Sequence, residues 1–113
     1  MLDDITSLTL QTAIAGLSAR QRVTANNIAN LETPGFTARS VSFEASLADA
    51  VAAGTPSTAR ITSEPTGDAA GVNGNNVNLE TEFVTATKTG LSEQLLTGAY
   101  TARLGLISTV LKG

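Results

Sequence analysis

The 113-residue sequence predicts a mainly α fold. Two long terminal helices would pack as a coiled-coil-like hairpin or within a multi-subunit helical tube, with an irregular segment between them. Apolar residues recur at spacings of three and four over residues 3–31 and again over 77–112. The stretch between is dominated by Gly, Ser, Thr, Pro, Asn and Ala, which interrupt periodic structure. The expected divisions are 1–33 for the first helix, 34–76 for the middle and 77–113 for the second helix.

The first helix carries its seam at Leu10, Ile14, Leu17, Gln21, Thr24, Ile28 and Leu31. Asp3 and Asp4 stand where acidic side chains favour a helix N-terminus. At 1.5 Å per residue the element would be about 40 Å long. Ala13, Ala15, Gly16 and Ala19 leave room for close helix approach, either within the chain or between subunits. The pattern breaks over Ala25-Asn26-Asn27-Ile28-Ala29-Asn30-Leu31-Glu32-Thr33-Pro34-Gly35-Phe36. Pro34 drives Thr33 out of the α region, so the helix ends at or before Thr33. Pro34-Gly35 fits the centre of a type II turn, and Asn26, Asn27 and Asn30 can bond nearby backbone at a helix end.

Beyond the turn, Phe36 to Arg39 reads as briefly extended. Ser42 is the expected cap of a short helix bearing Phe43, Leu47 and Val51 and ending at Gly54. Phe36 and Phe43 are expected to fold back on the end of the first helix. Residues 54–76 offer one short strand at Thr58–Thr62 without a clear partner, in a loop expected to order only beside a neighbour. The second helix starts from Asn78 as N-cap, with Glu80 and Glu82 in its first turn. Its apolar positions include Leu79, Phe83, Ala86, Leu91, Leu95, Leu96, Tyr100, Leu104, Ile107 and Leu111. Gly90, Gly98 and Gly105 mark a bend or places where another helix crosses closely.

Composition removes most chemistries. With neither His nor Cys, a Ser-His-Asp triad, a thiol nucleophile and a zinc site with nitrogen and sulfur ligands are excluded. The carboxylates are dispersed, and no cofactor motif is present. The net charge is −3 and the basic residues are scattered, which argues against nucleic-acid binding. No apolar run approaches membrane-spanning length. Bulky apolar residues make up about a quarter of the chain, so a core built largely from Ala and Leu would be marginal. The ordered form should depend on neighbours.

The string Ala-Asn-Asn-Ile-Ala-Asn at 25–30, followed by Thr-Pro-Gly-Phe at 33–36, resembles the N-terminal signature of bacterial flagellar axial proteins: rod, hook and hook-associated subunits. Ala19-Arg20-Gln21-Arg22-Val23 before it and Phe43 to Leu47 after it look like the proximal-rod members of the basal-body rod family. The likeness is dense over 8–47, returns more weakly over 76–113 and fails between, where the family usually carries a longer segment.

The resemblance implies a structural subunit and no enzyme, without cofactor or metal. It implies self-association in a helical tube, with other rod subunits and the membrane-ring and export-gate junction proteins as partners, and no direct membrane insertion. Its assembly motif would be Asn26, Asn27, Ile28, Ala29, Asn30, Thr33, Pro34, Gly35 and Phe36. Leu10, Ile14, Leu17, Ile28, Leu95, Tyr100, Leu104, Ile107 and Leu111 would pack subunits together. The start Met1-Leu2-Asp3-Asp4 lacks a secretory signal, which by itself suggests the cytoplasm. The resemblance implies instead a periplasmic rod in the basal body, reached unfolded through the flagellum's own export channel without a cleavable signal. A soluble helical-hairpin adaptor or chaperone is the alternative.

Overall fold

The computed structural model describes residues 2–112, with side chains from Ile5 onward; the acidic side chains of Asp3 and Asp4, expected to favour the helix N-terminus, lie outside the described ones. The elements are α1 (Leu2–Ala29), β1 (Arg39–Ser42), α2 (Glu44–Ala52), a 3₁₀ turn at Pro56–Thr58, β2 (Thr62–Pro65) and α3 (Leu79–Lys112). Two long helices and an irregular middle with a small sheet make the protein mainly helical.

The helices run antiparallel. Gln11 meets Tyr100 at one level, Gln21 meets the Ala86 carbonyl at the next, and Asn27 meets Glu82 at the far end. The hairpin is 64 × 25 × 15 Å, with a radius of gyration of 17.4 Å. A compact chain of this length would have about 13 Å. Elongation of this degree leaves much of the helix surface without an intrachain cover.

The helix ends follow local chemistry. After Ala29 the chain makes a turn in which the Phe36 N–H reaches the Thr33 carbonyl at 3.2 Å, with Gly35 at φ 73°. That positive φ is the one a type II turn requires after Pro. The α2 helix ends on Gly54, whose N–H bonds the Val51 carbonyl while Thr55 N–H bonds that of Ala50, the paired bonds of a Schellman cap. Asn78 caps α3, its Oδ1 accepting from the Thr81 N–H at 3.2 Å.

Three expectations need correction. Phe43, not Ser42, occupies the cap position of α2 and makes no side-chain cap bond. Ser42 is the last residue of β1, paired with Thr62. The strand expected at Thr58–Thr62 lies at Thr62–Pro65, and its partner is β1, in antiparallel register from Arg39↔Pro65 to Ser42↔Thr62. Phe43 packs on the middle of α1, not its end. A Cβ added to Gly16 would stand 2.5 Å from the ring, so only glycine admits the aromatic at this depth. Leu17, Val41, Phe43 and Leu47 form the core there, with Leu96 from α3 at its margin.

Candidate assembly surface

The signature region is a joint built from carboxamides. Strand residues Ser40 and Ser42 face β2, so the backbone groups of Arg39 and Val41 point the other way, toward α1. The Asn27 side chain meets them as a further strand would: its Nδ2 donates to the Arg39 carbonyl at 2.8 Å and its Oδ1 accepts the Arg39 N–H at 3.1 Å. The same Nδ2 donates to Glu82 Oε1 on α3. Asn27 is 1 % exposed and Glu82 6 %, so these bonds form away from water, where an unmade one is costly. Asn30 acts locally, donating to the Asn26 carbonyl at 2.8 Å and accepting from the Thr33 hydroxyl.

A second asparagine pair completes the joint. Asn75 Nδ2 donates to the carbonyls of Asn30 and Thr33, both at 2.8 Å, adding a second bond to acceptors that already hold the turn after α1. Asn76 Oδ1 accepts the Ala38 N–H at 2.6 Å, and its Nδ2 donates to the Asp68 carbonyl. The turn at Gly35 also touches the later loop, its N–H bonding the Asn73 carbonyl at 2.9 Å. Residues 54–76, expected to order only beside a neighbour, are here held by β2 and these bonds.

Arg20 ties α1 to β1 and α2. Its guanidinium lies 4.9 Å from the Phe43 ring centroid, donates to the Val41 carbonyl at 2.7 Å and forms a bidentate pair with Glu44 at 2.6 and 2.7 Å. Hydrogen bonding from Arg20 outweighs partial burial and lowers the Glu44 carboxyl from 4.5 to about 2; the same bond raises Arg20.

The expected packing residues divide. Leu17 is 6 % exposed and belongs to the intrachain core. Leu10, Ile14 and Ile28 are half-buried along the seam, as are Tyr100 and Ile107. Leu95 is 73 % exposed, Leu104 46 % and Leu111 81 %. The stripe α3 presents to α1 contains Glu82, Ala86, Thr89, Gly90 and Tyr100, while Phe83, Val84, Leu91, Leu95, Leu106 and Val110 face outward. A helix of a free-standing hairpin would be expected to bury its leucines. Exposed apolar side chains in this number along one helix mark an interaction site. Below them, an apolar groove of about 600 Å³ opens between α1, α2 and α3, floored by Phe43, Leu47 and Leu96.

Sequence reasoning missed Asn75, Asn76 and Glu82 as parts of the joint, and Gly16 as the seat of Phe43. The signals were present as Gly74-Asn75-Asn76 before a helix and as a glycine inside a strong helix pattern, but each also fits a local role. Among the described residues no cluster of Asp and Glu could hold a metal ion, and no helix is long and apolar enough to cross a membrane.

These features define a class of protein: an elongated helical hairpin with a locked joint at one end and exposed apolar side chains along its second helix. Residues 8–37 match the family model described as flagella basal body rod protein. That segment, which runs from α1 through the Pro34-Gly35 turn, is similar to the flagellar basal-body rod proteins, a structural family. No curated protein matches the chain.

Proposed function

We propose that the chain is a structural subunit of the proximal rod, within the drive shaft that links the membrane ring and export gate to the distal rod and hook. Within the rod family its resemblance is to the proximal rod protein FlgB, through Ala19–Val23 and Phe43–Leu47. The reading is carried by the exposed apolar side chains along α3, joined in one chain to the family-matching α1. Neighbouring subunits would cover Leu95, Leu104 and Leu111 and the half-buried Leu10, Ile14, Ile28, Tyr100 and Ile107, coupling final order to assembly. Asn26 to Phe36 would set where the hairpin ends and the middle segment leaves it. The subunit would reach the periplasm unfolded through the flagellar export channel, a route suited to a small core.

Mass spectrometry of purified basal bodies, with a deletion strain as control, tests this. The chain should be present, and its deletion should leave cells without rods; normal basal bodies in the deletion strain would refute the reading. The intrachain core around Phe43 favours a second reading, a soluble adaptor that folds alone. Circular dichroism at micromolar concentration separates the two. An adaptor shows helix over the full length of α1 and α3, whereas a rod subunit falls well short of it.

A further inference from the structure

The groove between α1 and the β1–β2 pair carries a charge arrangement that the hairpin does not use. Arg22, Asn26, Arg39, Val41 and Thr62 are among its walls, its volume is about 340 Å³, and no carboxylate lines it. Arg20, from the same run of sequence, is already engaged by Glu44. Arg22 donates to the Ser18 hydroxyl at 2.9 Å, and Arg39 reaches the Ser63 carbonyl at 2.7 Å and hydroxyl at 3.0 Å. All of these acceptors are neutral, so two guanidinium groups with donors to spare border one concavity. A guanidinium stays charged at any physiological pH, and its planar fork matches a carboxylate.

The rest of the chain has the opposite excess. Its net charge is −3, and among the described residues the one ion pair is Arg20–Glu44. Glu32, Asp49, Glu64, Asp68 and Glu80 are exposed and have no cationic partner among the described residues. We propose that this groove is an interface for a second copy of the chain, which places one of its exposed carboxylates between Arg22 and Arg39. A basic groove on one part of the subunit and acids on another make a heterologous contact, whose repetition closes a ring or extends a helical filament. The contact adds register to an apolar packing that by itself would slide, since opposite charges select position more than they add affinity. The proposal rests on the rod reading and names the charged part of its subunit contact.

The test uses Arg22→Lys, which keeps the charge and introduces an amine. A carbodiimide joins an amine to a touching carboxylate, forming the amide as the carboxylate oxygen and the amine protons leave with the reagent as its urea. Lys88 and Lys112 are the only native lysines, so products at position 22 are distinct after digestion. In basal bodies that contain the variant, the expected result is an amide between position 22 and a carboxylate of another copy. Arg22→Glu should lower incorporation at least tenfold while the circular dichroism spectrum of the purified chain is unchanged. A link from position 22 to a different protein overturns the assignment to a second copy, and no link at all overturns the groove as an interface. Absence of the wild-type chain from basal bodies is a separate result: it refutes the rod reading, and the same cross-linking of the concentrated purified chain then decides the groove.

Discussion

The two halves of the hairpin are built from the same pair of helices but held in different ways. In the joint half, residues 13–29 and 79–96 enclose Phe43, Leu17 and Leu47, and Asn27, Asn75, Asn76 and Arg20 satisfy the backbone where strands and helix ends meet. In the open half, residues 5–12 and 97–112, Gln11 and Tyr100 share one hydrogen bond at 2.6 Å, and Leu104, Leu106, Val110 and Leu111 are exposed. One half encloses an apolar cluster and fixes its polar side chains, although Phe83, Val84, Leu91 and Leu95 on its outer side are exposed. The other leaves its leucines uncovered, and burial of each could supply about 1.5–3 kcal/mol once a partner arrives. The difference teaches that helix length alone does not stabilise a hairpin; the enclosed cluster does.

The sharpest way to break this comparison is to place a charge in each half. Leu104→Asp should abolish incorporation into basal bodies and motility, yet leave the melting of the purified chain nearly unchanged, because the site is solvated until subunits meet. Leu17→Asp should instead unfold the joint half of the isolated chain. Swimming by the Leu104→Asp strain would remove the open half from the assembly surface.

Next in size is Asn27→Ala. It deletes both bonds to Arg39 and leaves Glu82 buried without its donor, for an expected loss of about 3 kcal/mol in denaturant titration. Gly16→Ala should cost about 1–3 kcal/mol through collision with the Phe43 ring, with partial recovery in the double variant Gly16→Ala/Phe43→Leu. Additive losses in that pair would show that the ring does not seat on Gly16.

The smallest effect concerns pH. Glu44 has its folded-state pKa lowered to about 2, so its contact with Arg20 is fully stabilising above the ordinary value of 4.5 and is lost as pH falls from there toward 2. The Glu44 side chain is largely exposed, so the pair should contribute less than about 1 kcal/mol. Glu44→Gln should flatten the acid side of a melting-temperature profile over that window and leave its slope at neutral pH unchanged.

Much of this architecture was legible in the sequence. Periodicity located both long helices, Pro34-Gly35 located the turn, and Gly54 and Asn78 marked helix ends through backbone requirements that are local. The strands were harder because each has four residues and β2 is exposed throughout, so neither shows the alternation of a half-buried sheet. The asparagines were legible as turn formers only, since a carboxamide that pairs with a distant strand reads the same as one that caps its own helix. The exposure of Leu91 and Leu95 was hidden for a different reason: a seam drawn from apolar spacing assumes that apolar faces inward, and Asn27–Glu82 and Gln21–Ala86 fix another face of α3 against α1.

Hydrogen exchange of the purified chain, read peptide by peptide along α3, tests the central claim that the two halves differ in their need for partners. Protection should be high over residues 79–96 and low over 97–112, and the second stretch should become protected in assembled basal bodies. Uniform protection along α3 in the isolated chain would contradict the account, because the open half would then need no neighbour to hold it.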